Sequence, residues 1–128
     1  MTQLLIRYLE FIYLSREERL MKIAKLIALL GVMAMTGALI FGFTQGDFFM
    51  DGSAVLANPW GIVSMVDLYV GFTLFSMWIA FREKHILQAG LWIVLMMVFG
   101  FLTGALYVLI HLIVSKGNWT KFFMGARQ

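Results

Sequence analysis

Three stretches of the chain are nearly free of charge over the length a bilayer demands, about 20 apolar residues for a hydrocarbon core about 30 Å thick. The first covers 26–44, with no charge between Lys25 and Asp47. The second covers 60–81 and is interrupted only by Asp67, and the third covers 86–115 with His111 as its one member able to charge near neutral pH. That third run exceeds what a crossing needs, so tilt or a protruding end is expected. Peptide groups in hydrocarbon need partners within the segment, which predicts helices, and no alternating strand pattern suggests a barrel. The expected fold is an all-α membrane protein: three transmembrane helices in a thin bundle, preceded by an N-terminal interfacial amphipathic helix.

The flanks refine that division. In residues 1–14, Gln3, Arg7 and Glu10 form a narrow polar stripe on an otherwise apolar helix, the pattern of a segment lying in the interface or against a partner. Ser15-Arg-Glu-Glu18 reads as a capping box, which predicts a break near Ser15 and a second helix running from Arg16 into the membrane. The apolar run starts late and follows acidic residues, unlike a cleavable signal peptide. Between the first two spans, Asn58-Pro59 predicts a capped helix start, and Trp60 sits where aromatic belts form. Residues 15–115 then form the three-span unit, and 116–128 an aromatic and basic tail carrying Trp119, Phe122 and Phe123, expected at the outer interface.

Composition excludes the ordinary alternatives. Of 128 residues, 62% are hydrophobic and 13% charged, with mean hydropathy +0.88, against about 45–50% and about 25% in soluble domains. Disordered chains lack such apolar content. No cysteine is present, which removes disulfides, thiolate metal sites and thiol nucleophiles. Arg7, Arg16, Arg19, Lys22 and Lys25 precede the first span, and Arg82 and Lys84 sit between the second and third; Lys116, Lys121 and Arg127 follow the third. Seven basic residues against three place the N-terminus in the cytoplasm and the C-terminus outside, in a membrane such as the bacterial inner membrane. The net charge of +3 is matched to anionic lipid and calls for no nucleic acid.

Polar and small residues are the informative ones inside such spans. Trp60, Ser64, Asp67, Gly71 and Trp78 share a face of the second span, and Gly100, Gly104, Tyr107 and His111 share one of the third. An intramembrane carboxylate is costly and faces protein or water, which predicts a buried polar cluster of Asp67, Tyr107, His111 and Ser64. Asp67 there is either a proton or cation site or a group that fixes helix docking, and the rival for His111 is a place among the headgroups. Gly100-Phe-Leu-Thr-Gly104 is a GxxxG close-approach motif, and Ala34, Ala38 and Gly42 give the first span a small-residue face. Trp60 and Trp119, with Arg16, Arg19, Lys22 and Lys25, mark the interfaces. Because His85 and His111 fall on opposite sides of a three-span arrangement, a haem held by both is excluded, while a single His111 leaves haem or a chlorin open. No metal site and no cofactor are expected apart from bound lipid.

The residues Asn58-Pro-Trp-Gly61, Val66-Asp-Leu-Tyr69, Gly71-Phe72, Phe75-Ser76, Trp78-Ile79 and Arg82-Glu83 resemble a family of small uncharacterised three-helix integral membrane proteins of bacteria and plants. The resemblance covers roughly residues 26–115 and implies the same topology, with no activity attached. No catalytic motif is visible, so an enzyme is not expected. The leading expectation is a non-catalytic accessory subunit of a larger respiratory or photosynthetic membrane complex, bound laterally to other integral membrane subunits and lipid. The alternatives are a homo-oligomeric transporter or ion conductor using Asp67, and a lipid, quinone or pigment binder walled by Trp60, Tyr69, Trp78 and Trp92.

Overall fold

The computed structural model describes residues 1–127, and these are all-α. Helix α1, Thr2–Gln45, is continuous through Ser15, so the predicted break is absent. The reason lies in the sequence around it: residues 2–30 hold neither glycine nor proline, and extending a helix is easier than nucleating another. Its 44 residues measure about 66 Å at 1.5 Å per residue, roughly twice a hydrocarbon core. Residues 1–14 are therefore its exposed first turns rather than a separate element.

Asp47 starts α2, Phe48–Ala57, by accepting from the Phe49 and Met50 amides at 3.1 Å each. Asn58 starts α3, Pro59–Arg82, by accepting from the Trp60 amide at 3.0 Å, with Pro59 in the first turn where its missing N–H costs nothing. Helices α1 and α3 are each long and apolar enough to cross a membrane.

The third apolar run is not one helix. It divides into α4, Ile86–Phe99, and α5, Phe101–Val114. Gly100 between them has φ +68° and ψ −146°, a conformation essentially restricted to glycine. The two helices, about 21 Å each, fold back on one another. Around the apex the Gly100 amide bonds to the Met96 carbonyl (2.8 Å), the Thr103 hydroxyl to that of Leu95 (3.1 Å) and the Tyr69 hydroxyl to that of Met97 (3.3 Å). Gly104 is buried, and a Cβ there would lie 2.5 Å from Phe101 Cδ1. The GxxxG pair thus shapes the turn of the hairpin rather than seating a second helix backbone.

Helix α1 packs antiparallel to α5, with a Cβ on Gly31 reaching within 3.5 Å of Ala105 Cβ, and with Met21, Ala28, Leu112 and Phe122 forming one core. Helix α3 covers the hairpin through a second core of Phe72, Ile79, Ala89, Met96 and Tyr107. After α5 the chain turns into α6, Trp119–Met124, and a 3₁₀ turn, Gly125–Arg127. Among the bonds that pin this tail are Trp119 Nε1 to the Glu17 carbonyl (3.2 Å), Trp78 Nε1 to that of Phe123 (3.1 Å) and Arg127 Nε to that of Phe81 (3.1 Å). The tail therefore lies at the same end of the molecule as Glu17 and Arg82, not at the opposite end as a straight third span required. The last residue of the tail segment, Gln128, falls outside the described residues.

Candidate functional site

Where the tail, α3 and the open end of the hairpin meet, one charged side chain is buried. Arg82 ends α3 with 5% of its surface exposed. It falls at i+10 from Phe72, behind Phe75 and Ile79, on the face that α3 turns toward the hairpin. A buried guanidinium persists only if its donors are matched, and each of its three nitrogens donates. Nε bonds to the Phe122 carbonyl at 2.6 Å, Nη1 to the Tyr107 hydroxyl at 2.7 Å and Nη2 to the Lys121 carbonyl at 3.5 Å. Its carbon lies 5.4 Å from the Trp78 and Tyr107 ring centres and 5.9 Å from that of Phe122, within cation–π range.

Tyr107 carries the network onward. Fully buried, it accepts from Arg82 and donates to Glu83 Oε1 at 2.8 Å. The same carboxylate oxygen lies 3.9 Å from Arg82 Nη1 and 3.6 Å from His111 Nε2. The His111 ring is 4.3 Å from that of Tyr107, centre to centre. Backbone closeness completes the joint: a Cβ at Gly125 would sit 2.7 Å from the Arg82 carbonyl oxygen, so only glycine lets the 3₁₀ turn approach there. The contact between Glu83 and His111 offers one carboxylate and one imidazole, two donors where a structural zinc takes four. Chemically the arrangement is a chain of matched hydrogen bonds running from the tail carbonyls through Arg82 and Tyr107 to Glu83. It joins three elements remote in sequence.

The predicted polar residues separate into two groups. Tyr107 and His111 come together, but with Arg82 and Glu83, not with Asp67. Asp67 is exposed, and Ser64 is exposed with its hydroxyl bonded to the Trp60 carbonyl at 2.9 Å. The cause is angular and axial. Asp67 lies about 120° around α3 from Ile79 at 100° per residue, and the hairpin reaches only to Phe72, whose ring abuts Gly100. Ala34, Ala38, Gly42 and Trp60 are also exposed, and no atom lies within 4 Å of a Cβ built on Gly42 or Gly71. Arg16, Arg19 and Lys22 are exposed, while Lys25 and Trp119 are half-buried.

Two further expectations change. His85 and His111 lie at one end of the fold, because the hairpin returns His111 to Glu83, so the depth argument against a two-histidine haem does not hold. The imagined ligand walls do not share a pocket: Trp78 and Trp92 pack edge-on against Tyr107 (5.8 and 5.1 Å between centres), Tyr69 caps α4 and Trp60 is exposed. Sequence reasoning passed over Arg82 and Glu83 because charges at span ends are ordinary. The signal was the position of Arg82 on the Phe72–Phe75–Ile79 face.

No curated protein and no solved structure matches the chain. A family model does match, over residues 14–121, a stretch that holds both long apolar helices' cores, the hairpin and the side chains of Arg82, Glu83, Tyr107 and His111. The chain belongs to the family described as "Protein of unknown function (DUF1475)".

Proposed function

We propose that the protein is a multi-pass membrane protein acting as a non-catalytic accessory subunit, bound laterally to other integral membrane subunits, with the N-terminal basic segment on the cytoplasmic side. The observation that carries this reading is the contrast between its inside and its outside. Inward, Arg82, Tyr107 and Glu83 are matched to one another and to tail carbonyls, with each guanidinium nitrogen engaged by the chain itself. Outward, the distal half of α1 presents Ala34, Ala38 and Gly42 at i, i+4 and i+8 with nothing from the chain covering them. Small residues in that register let helix backbones approach closely inside a bilayer. Asp67, exposed on α3, supplies a polar contact for a neighbouring helix.

Extraction in mild detergent, native electrophoresis and mass spectrometry test the proposal. Co-migration with other integral membrane proteins is expected, and Ala38→Leu should abolish it without changing the unfolding temperature of the isolated chain, since Ala38 is exposed. A pure homo-oligomer would instead favour a conducting assembly, and a monomer would refute lateral binding altogether.

A further inference from the structure

We propose that α4 and α5 form a re-entrant hairpin that enters and leaves through one membrane face, and that the face so assembled is a docking surface for anionic phospholipid headgroups. This rests on the membrane reading above and replaces the straight third crossing. Each hairpin helix has 14 residues, about 21 Å, against a hydrocarbon core of about 30 Å. Its apex at Gly100 meets Phe72, ten residues from the Arg82 end of α3, while α3 runs a further thirteen residues to Pro59. The turn therefore stops near mid-membrane.

Irregular backbone at that depth is tolerated only where its polar groups are satisfied within protein. The apex meets this requirement with side chains. Tyr69 donates to the Met97 carbonyl that α4 leaves without a helical partner, Thr103 adds a bond to the Leu95 carbonyl, and the Gly100 amide serves Met96. The charge distribution agrees independently. With the tail returned beside Glu17 and Arg82, all ten Lys and Arg residues and all four Glu fall at or beyond one end, and the three Asp residues lie in the other half. The tail's Lys116, Lys121 and Arg127, which a straight third span strands on the wrong side, rejoin the rest. Of the ten, Arg82 is turned inward, whereas Lys22, Lys84, Lys116 and Lys121 are exposed, placed to meet an anionic leaflet.

The lack of native cysteine makes the test direct. Full-length Thr2→Cys, Ser53→Cys and Ala126→Cys variants, all at exposed positions, are treated in intact cells with a membrane-impermeant maleimide, before and after permeabilisation. Ser53→Cys should label at once, and Thr2→Cys and Ala126→Cys only after permeabilisation. Labelling of Ala126→Cys together with Ser53→Cys, with Thr2→Cys protected, would overturn the hairpin. Labelling of Thr2→Cys and Ala126→Cys together from outside would keep the hairpin and refute the orientation proposed above. In nanodiscs of mixed phosphatidylcholine and phosphatidylglycerol, native mass spectrometry should show retained lipid enriched in phosphatidylglycerol, with the enrichment lost in a Lys22→Gln, Lys84→Gln, Lys121→Gln triple variant. Retained lipid at the bulk ratio would refute the headgroup contact.

Discussion

Arg82 stands among aromatic rings with its charge answered by three acceptors and, a little farther off, by Glu83. Desolvating a guanidinium and a carboxylate is costly, and such a pair is weak evidence of net stability; its value shows when one partner is removed. Arg82→Met removes the positive charge beside Glu83, leaves two tail carbonyls unanswered and is expected to destabilise the fold by about 3–5 kcal/mol in micelle unfolding measurements. Tyr107→Phe deletes only the bridging hydroxyl, at about 1–3 kcal/mol. The two should be strongly non-additive, because either variant breaks the same chain of bonds; simple additivity would contradict a shared network. At this scale the sequence was legible in part. Tyr107 and His111 attract notice as polar residues in an apolar run, but Asp67 drew attention by being rare, and rarity does not say which way a side chain faces.

The break at Gly100 decides the architecture of the elements. Its dihedral angles exclude residues bearing a Cβ except under strain, which costs about 1–3 kcal/mol at such positions. Gly100→Ala should lower stability by that amount, read as an earlier unfolding midpoint, while Gly71→Ala, in regular helix with open space at its Cβ position, should be neutral or slightly stabilising. Equal effects would mean that the turn at Gly100 imposes nothing. Hydropathy reports depth preference and carries no direction, so an apolar run of thirty residues fits one tilted crossing or two half-height helices equally well. Its excess length was the legible clue. The cap at Asn58 was readable because it depends on adjacent residues alone, whereas α2 and its cap at Asp47 lie in what reads as a loop. The continuity of α1 was obscured because Ser15 and Glu18 have the right chemistry for a helix start, yet nothing before them ends a helix.

For the whole molecule, α3 is the element that organises the fold-back from apex to open end. Tyr69 and Phe72 hold the apex of the hairpin, Ile79 fills its core, and Trp78, Arg82 and Glu83 lock its open end to the tail. One helix thus reads out the full height of the fold-back, and the other long helix, α1, packs along its far side through α5. The halves of α1 and α3 beyond Gly100 remain uncovered by the hairpin, and the lateral contacts proposed above belong there. The direct measurement of this layout is a pulsed electron paramagnetic resonance distance between spin labels on Lys84→Cys and Ile113→Cys, both exposed and free of competing native thiols. Glu83 and His111 touch at 3.6 Å, so the hairpin predicts a distribution centred within roughly 20 Å. A single helix running from the loop to Ile113 would separate the labels by about 40 Å or more, and that result would contradict the fold-back.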